Sequence, residues 1–431
     1  MLMVRPVSNF GRQTSRKWPL HMLSLGRRRK STDAEKDFFK EYKVRSSLER
    51  LIYHYSNQPL SKFSMLGLYE QSRDLNKSNI LEVARDTAES LLAYNARRLR
   101  NFRDLPYLVM LNPSISELYN MYLQSMSVLL KASLNPPATL AENENFASGV
   151  LSEFIEIHAD ALPTLSKGFA EVMHLMSNKQ IKHFLDKHLE ERISMRLVAH
   201  QHIQLTKSLA ENTYVAGGDF NGIIKRLDIR DVIRRNAEHV NDLFLMKYDQ
   251  TVNVKIDTTL HPGRFWTLRE PASLEHQKDD GPIYFPYIEY HLDYIFQELF
   301  KNSFRAHIEN GVPDPVQVTV STSENPSYME LRIRDKGKGI PPNALQHMFD
   351  YLFTTYESNE GESFKTLNVP PGLGGNTVAG MGYGLPLSKS YIEIFNDTVS
   401  PLQDTPAVKG LLSVQTYWGW GTDVYLKTVG Q

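Results

Sequence analysis

The hydrophobic period of the chain changes once, and this change limits the possible folds more than any other feature. From residue 36 to residue 212, apolar residues recur at spacings of three and four, as in Ile80–Leu105 and Pro113–Leu130, which is typical of amphipathic helices. After a linker at Thr213–Asn221, helical segments are mixed with short strand-like ones. We therefore predict a helical bundle of the four-helix type, followed by a domain that contains strands.

In the second half, short segments carry apolar residues at every other position, as half-buried strands do. These segments are Val252–Ile256, Val316–Val320, Leu331–Ile333, Leu412–Thr416 and Thr422–Leu426, the last two enclosing a Gly419–Gly421 turn. Helices are predicted at Leu227–Tyr248, Ile288–Asn310 and Leu387–Phe395. Because strands and helices do not alternate regularly, the pattern favours an α+β sandwich over a Rossmann sheet.

Composition excludes several kinds of site and partner. The 49 Lys and Arg residues balance the 49 Asp and Glu residues, so no overall attraction to nucleic acid is expected. The chain has no cysteine, which excludes disulfides, thiolate metal sites and cysteine nucleophiles. No apolar run approaches the roughly 20 residues that a membrane-spanning helix needs, so no transmembrane segment is predicted.

The first 32 residues are basic, with no Asp or Glu before Asp33. The basic residues are Arg5, Arg12, Arg16, Lys17, Arg27, Arg28, Arg29 and Lys30, and serines and apolar residues lie between them. This composition is typical of a mitochondrial presequence, and a disordered basic tail is the alternative. We predict a presequence over residues 1–35.

Four polar residues share one face of the predicted helix Leu292–Ala306. Glu298, Lys301, Asn302 and Arg305 fall at positions i, i+3, i+4 and i+7, while the apolar positions form a separate stripe. A carboxylate and an amide one turn apart can orient a nucleophile and a Mg²⁺ ion together, since Mg²⁺ prefers oxygen ligands. The alternative is an ordinary solvated face.

Two glycine-containing segments suggest a nucleotide. Gly337 and Gly339 follow Asp335 directly after a predicted strand, where a backbone can approach a ligand closely and a carboxylate can accept a hydrogen bond from an amine such as that of adenine. The alternate glycines of segment 379–386 precede a helix, so their amides and the helix dipole can hold phosphates. A plain turn is the alternative for the first segment, and a glycine-rich loop with no ligand is the alternative for the second. Segment 357–378, rich in Gly and Pro, is predicted to be a mobile lid.

The order and spacing of these segments, with Gly421–Thr422 after them, resembles the Bergerat ATP site of gyrase, heat-shock chaperones and sensor histidine kinases. The resemblance implies an α+β fold in which an all-α bundle (36–212) precedes a GHKL α/β sandwich that binds ATP (213–431). Asn302 would hold Mg²⁺, Asp335 the adenine, and the 380–385 loop the phosphates. The nucleotide-binding residues it implies are Lys301, Asn302, Arg305, Asp335, Gly337, Gly339, Thr354, Thr355, Gly380, Met381, Gly382, Tyr383, Gly384, Leu385 and Thr422.

Further motifs resemble the mitochondrial pyruvate and branched-chain 2-oxoacid dehydrogenase kinases, with the fungal pyruvate dehydrogenase kinases nearest. They are Glu298–Asn302 with Arg305–Ala306, Phe353–Thr355, Gly382–Pro386, Gly421–Lys427 and, in the helical half, Glu191–Arg196. The resemblance implies transfer of the ATP γ-phosphoryl group to a serine of the decarboxylase α subunit of the pyruvate dehydrogenase complex in the mitochondrial matrix, which inactivates it, with Glu298 as general base. It also implies K⁺ near Asp350, Phe353 and Gly382, docking on lipoyl domains of the acyltransferase core, and a homodimer or a heterodimer with a related kinase.

Two departures from the animal pyruvate dehydrogenase kinases leave alternatives open. Tyr294 stands where they carry a histidine, as in the branched-chain kinases, so the branched-chain complex is a second possible substrate. The sequence ends at Gln431, directly after the last predicted strand, which leaves the mode of lipoyl docking open. The alternatives of another class are a sensor histidine kinase, for which His188 is a partial match, and a non-catalytic ATP-binding regulator.

Overall fold

A computed structural model describes residues 33–60, 64–257, 281–324, 327–353, 382–396 and 409–430. Two compact units are present, one ending at Arg50 and the other running from Leu51. The first unit holds the beginning of helix α1 (Asp33–Ser56), where Arg45 pairs with Glu41 one turn earlier. None of the described helices is long and apolar enough to cross a membrane.

The N-terminal part of the second unit is helical, as the apolar spacing predicts. Its helices are α2 (Met65–Arg73), α3 (Asn79–Arg103), α4 (Tyr107–Met110), α5 (Pro113–Leu134), α6 (Leu140–Asn145), α7 (Ser152–Ile157), α8 (Ala161–Val172) and α9 (Asn178–Ala210), with a π-helical turn at Phe146–Leu151 and a 3₁₀ turn at Met173–Leu175. We call α2 to α9 the helical region. Helix α3 packs against α5 and α9, and α5 packs against α8, which is the predicted bundle.

Local sequence explains where the long helices begin. The Asn112 side chain accepts hydrogen bonds from the amides of Ser114 and Ile115, and Pro113 occupies the first turn of α5, where a missing N–H costs nothing. A capping box between Ser177 and Gln180 starts α9. The start of α5 agrees with the predicted segment, which also begins at Pro113.

The C-terminal part contains two sheets. Its elements are β1 (Ile224–Asp228), α10 (Ile229–Tyr248), β2 (Val254–Asp257), β3 (Tyr284–Ile288), α11 (Glu289–Glu309), β4 (Val316–Glu324), β5 (Ser327–Asp335), α12 (Pro342–Leu345), α13 (Gly384–Glu393), β6 (Leu411–Tyr417) and β7 (Gly421–Val429). We call β1 to β7, with these helices, the sheet region. The five-stranded sheet has the order β2-β4-β5-β7-β6, with β2 parallel to β4 and the other neighbours antiparallel.

Helices cover one face of this sheet. Helix α11 packs on β5, α13 on β6 and α10 on β2, while α11 also contacts α10 and α13. The burial of β5 alternates along the strand, and Met329, Leu331, Ile333 and Asp335 all point to the covered face. The mixed sheet under helices confirms the predicted α+β class.

Strands β1 and β3 were not predicted. They pair antiparallel with each other, Ile224 opposite Ile288, across more than sixty residues of chain. Each strand is short and runs directly into a helix, α10 or α11, so its apolar residues merge with the helical pattern in the sequence. The predicted helix from Leu227 therefore begins two residues later, at Ile229.

Candidate functional site

The described ends of α11, β5, the β6–β7 turn and α13 enclose a cleft of about 540 Å³. Most of the described residues proposed from the sequence line it. They are Glu298, Lys301, Asn302, Arg305, Asp335, Gly339, Phe353, Gly382, Gly384, Leu385 and Thr422. The cleft thus collects side chains from segments that lie more than a hundred residues apart in the chain.

Helix α11 brings Glu298 and Asn302 to the cleft by burying its opposite stripe. Leu292, Ile295 and Phe296 are fully buried against the sheet region, so the polar face is turned towards the cleft. Glu298 is 7% exposed and Lys301 is 6% exposed, and the Glu298 carboxylate pairs with the Lys301 ammonium group. The alternative of a solvated helix face is therefore wrong for Glu298 and Lys301, whereas Asn302 is exposed.

Asp335 lies at the inner end of β5, opposite Thr422 of β7. Its Oδ1 atom accepts hydrogen bonds from the Gly337 amide at 3.0 Å and the Thr422 amide at 3.2 Å. Burial raises the pKa of Asp335 to about 6, although these two amides act in the opposite direction. Among the described residues none donates a hydrogen bond to Oδ2, which is available to a ligand in the cleft.

The loop after β5 is held in place by close packing. A Cβ atom at Gly337 would lie 2.7 Å from the Ala306 Cβ, and one at Gly339 would lie 2.5 Å from the Tyr417 carbonyl oxygen. Gly339 also has a φ of +80°, which favours glycine. The two glycines let this loop pack between α11 and the β6–β7 turn.

A buried histidine that sequence reasoning missed also holds this loop. His307 is 1% exposed, and its Nε2 atom accepts a hydrogen bond from the Lys336 amide at 2.9 Å. Burial lowers the pKa of His307, so the neutral ring that can accept is favoured. No local pattern distinguishes this histidine, because its partner belongs to another element.

The glycines before α13 permit two further close approaches. A Cβ atom at Gly384 would collide with the Oε2 atom of Glu298, so only glycine lets this carboxylate reach the start of the helix. Gly382, with a φ of +74°, lies against the backbone of Leu352 and Phe353. Of the residues proposed for K⁺, Phe353 and Gly382 are therefore adjacent, while the Asp350 carboxylate lies 2.8 Å from Nδ1 of His347.

Some proposed residues do not reach the cleft or cannot be located. Gly337 is buried within the loop after β5, and Tyr383 is fully buried with its ring 5.6 Å from the Tyr351 ring. Neither residue lines the cleft. Thr354, Thr355, Gly380, Met381 and the segment 357–378 lie outside the described residues.

The apolar lining of the cleft was also missed. Val414 of β6 and Val424 of β7 face each other in the antiparallel pair and both line the cleft, together with Ile340, Met348 and Trp418. Alternation along each strand shows which residues lie on the same face as Val414 or Val424. It does not show which of the two faces borders the cleft.

Two histidines of α9, His188 and His202, are enclosed by the helical region. His188 is fully buried, with Nε2 lying 3.2 Å from the Tyr122 hydroxyl oxygen, and His202 is fully buried beside Asn143. A phosphoacceptor must be reached by a phosphate group, and these rings have no solvent access. This burial fits a structural role for both rings.

The residues of the cleft fit a magnesium nucleotide. The carboxylate of Asp335 provides an acceptor, the Asn302 amide provides an oxygen ligand of the kind Mg²⁺ prefers, and the glycine-bounded start of α13 leaves room for a phosphate group. Lys301 and Arg305 add positive charge along α11, although each also has an acidic partner, Glu298 and Glu309.

Comparison with known proteins agrees with this geometry. A family model described as mitochondrial branched-chain alpha-ketoacid dehydrogenase kinase matches residues 62–225, and one described as histidine kinase-, DNA gyrase B-, and HSP90-like ATPase matches residues 288–428. The chain is 31% identical over 400 residues to mitochondrial pyruvate dehydrogenase (acetyl-transferring) kinase 1 of Saccharomyces cerevisiae, covering 91% of this chain and 90% of that protein.

Animal relatives are more distant. The match to isozyme 3 of the mitochondrial pyruvate dehydrogenase kinase of Mus musculus is 25% identical over 411 residues, 88% of this chain and 87% of the relative. Isozyme 1 of Rattus norvegicus is 25% identical over 336 residues, 75% of this chain and 68% of the relative. The resemblance inferred from the motifs is confirmed, and the chain belongs to the family of the mitochondrial pyruvate dehydrogenase kinases.

Proposed function

We propose that this protein is a serine kinase that uses ATP to phosphorylate, and so inactivate, the decarboxylase α subunit of the pyruvate dehydrogenase complex. The relatives named above are pyruvate dehydrogenase (acetyl-transferring) kinases. The observation that carries the proposal is that Glu298 and Asn302 line the same cleft as Asp335 and Gly384. The cleft then contains a general base, a magnesium ligand, a carboxylate that recognises the adenine and a cradle for the phosphates, all of which serve one reaction.

The nucleotide lies, in this proposal, with its base towards Asp335 and its phosphates towards α13. Asp335 accepts from the exocyclic amine of adenine through Oδ2, while its Oδ1 stays bonded to the backbone. The phosphates take the end of the cleft bounded by Gly382, Gly384 and Leu385, where the start of α13 favours negative charge. Thr354, Thr355, Gly380 and Met381 would complete this end.

Glu298 acts as the general base towards the serine hydroxyl. The ion pair with Lys301 fixes the orientation of the carboxylate, and Gly384 lets it approach the phosphate end of the cleft. Transfer of this kind depends mainly on positioning and electrostatics, so few groups are needed. Asn302 would hold Mg²⁺, which when bound supplies positive charge to the phosphate oxygens.

The other inferences from the resemblance remain proposals. We infer a mitochondrial matrix location, since the relatives are named as mitochondrial, and a presequence over residues 1–35. We also infer K⁺ near Asp350, Phe353 and Gly382, docking on lipoyl domains, and a dimer. The helical domain would span 36–212 and the ATP-binding domain 213–431.

A second substrate is favoured by one observation. The family model that matches residues 62–225 is described as a branched-chain alpha-ketoacid dehydrogenase kinase. Incubating the protein with labelled ATP and each purified complex in parallel separates the two possibilities. Label on the pyruvate dehydrogenase decarboxylase alone supports the proposal, and label on the branched-chain decarboxylase alone contradicts it.

The function is tested with the variant Glu298→Gln, which keeps the shape of the side chain and removes its basicity. Phosphoryl transfer to the decarboxylase should fall by about 10²- to 10⁴-fold, while ATP binding measured by calorimetry is retained. Glu289→Gln is the matched control, because Glu289 begins the same helix but pairs with Arg235 and does not line the cleft. Full transfer by the Glu298 variant would exclude the proposed base.

A further inference from the structure

Two residues at the rim of the cleft have no part in the proposed chemistry, yet they contact each other. Lys338 belongs to the loop after β5, and Trp418 belongs to the β6–β7 turn; both line the cleft. The Lys338 ammonium nitrogen lies 4.8 Å from the centroid of the Trp418 ring, within the range of a cation–π contact. The Gly419 amide donates a hydrogen bond to the Lys338 carbonyl oxygen at 2.6 Å.

The backbone around this pair is tied together at further points. The Ile340 amide donates to the Thr416 hydroxyl oxygen at 2.9 Å, and the Thr416 hydroxyl donates to the Gly421 carbonyl oxygen at 3.0 Å. Gly339 packs directly against the Tyr417 carbonyl group. The loop and the turn therefore form one packed rim beside Asp335, and the backbone on both sides of Trp418 belongs to this rim.

The exposure of Trp418 differs from that expected of a packing residue. Its side chain is 51% exposed, and it lines the cleft beside Ile340, whereas Trp420, two residues on, is 84% exposed and is not among the lining residues. An aromatic ring next to an acceptor for an exocyclic amine provides a surface on which a nucleobase can stack, since every base has a π-face. A cation over one face of such a ring is attracted to it and can hold it in place.

We propose that Trp418 contacts the base of the bound nucleotide and that Lys338 is a positioning residue that holds the Trp418 ring. This inference rests on the proposed function, because it requires ATP in the cleft with its base at the Asp335 end. It adds an affinity determinant from a turn more than eighty residues away from Asp335.

The experiment measures binding of MgATP and of magnesium tripolyphosphate, which has no base, by calorimetry. Trp418→Ala should weaken ATP binding by on the order of tenfold and leave tripolyphosphate binding unchanged, since the lost contact is with the base. Trp418→Phe should retain ATP affinity to within about threefold, because a ring remains. Trp420→Ala is the matched control and should bind both ligands like the wild type.

Lys338 is tested in the same titrations. Lys338→Gln should weaken ATP binding by about two- to fivefold, and Lys338→Arg should restore it, because arginine also stacks on an indole ring. Tryptophan fluorescence gives an independent signal: the change produced by ATP should disappear in Trp418→Phe and persist in Trp420→Phe.

Three outcomes would overturn the inference. If the Trp418→Ala variant binds ATP like the wild type, Trp418 does not contact the base. If the variant loses equal affinity for ATP and for tripolyphosphate, the substitution has damaged the cleft as a whole. A loss of tripolyphosphate binding in Lys338→Gln would mean that Lys338 touches phosphate instead. A wild-type protein that binds neither ligand would refute the proposed function itself, which distinguishes the two failures.

Discussion

Two buried ion pairs, one in the helical region and one in the sheet region, look alike when only their exposure is compared. Glu191 pairs with Arg98 between α9 and α3, and Glu298 pairs with Lys301 on α11; the side chains of the two glutamates are 11% and 10% exposed. Only the second pair lines the 540 Å³ cleft. The difference teaches that burial alone does not identify a functional carboxylate, whereas access to a ligand-sized space beside other recognition groups does.

The largest expected effect tests whether the bundle pair is structural. Arg98→Met leaves Glu191 buried without its cation, which should lower the free energy of unfolding by about 3–5 kcal/mol. Lys301→Met should cost less, roughly 1–2 kcal/mol, because water in the cleft can reach Glu298. Denaturant unfolding of both variants, followed by circular dichroism, measures the two losses.

The double variant Arg98→Met with Glu191→Leu is the control for that comparison. Replacing both charged partners with apolar residues removes the uncompensated charge, so most of the lost stability should return. Equal losses for Arg98→Met and Lys301→Met would break the comparison, because they would show that the cleft gives Glu298 no access to water.

A smaller effect concerns the other carboxylate of the cleft. Because the pKa of Asp335 is raised to about 6, the carboxyl group is ionised above that pH and becomes protonated below it. A charged acceptor holds an amine more strongly than a neutral one, so ATP affinity should fall roughly fivefold as the pH decreases through about 6. Calorimetric titrations on both sides of this pH provide the measurement.

The phosphates of ATP also titrate, so the comparison needs a variant without the carboxylate. Asp335→Asn keeps the side-chain size and has no titrating group, and the ratio of wild-type to variant affinity isolates the contribution of Asp335. A ratio that stays constant across this pH range would contradict the proposed role of Asp335 in base recognition.

The smallest effect concerns a contact between the two regions. The Tyr351 hydroxyl donates a hydrogen bond to Oδ1 of Asp186 at 2.7 Å, joining α9 to the segment that packs against Gly382. Tyr351→Phe should lower the free energy of unfolding by about 0.5–1 kcal/mol, since Asp186 is half exposed and keeps water and Lys182 as partners. Asp186→Asn, which can still accept the bond, should lose less in the same unfolding experiment.

Within single elements the sequence was a good guide. The helical period predicts Glu298 and Asn302 on one face of α11 and the apolar stripe on the other. Alternation along β5 places Asp335 on the same face as the buried apolar residues of the strand. The order of these segments was enough to indicate the family. Backbone geometry fixes both periods, so neighbours along an element can be read without knowing the fold.

Contacts between elements could not be read in this way. Strand β1 pairs with β3 although each merges in the sequence with the helix that follows it, His307 supports the loop after β5, and Lys338 contacts Trp418 eighty residues later. Each of these contacts depends on how separate elements pack, and many different packings are compatible with the same local periods.

The sequence by itself therefore determined which residues share a face and which glycines permit positive φ or close approach, because these properties follow from covalent geometry. Tertiary structure alone decided that Glu298 lies against Gly384, that its partner Lys301 is buried with it, and that Asp335 closes the same cleft. The physical reason is that packing of side chains distant in the chain determines the distances and solvent access on which chemistry depends.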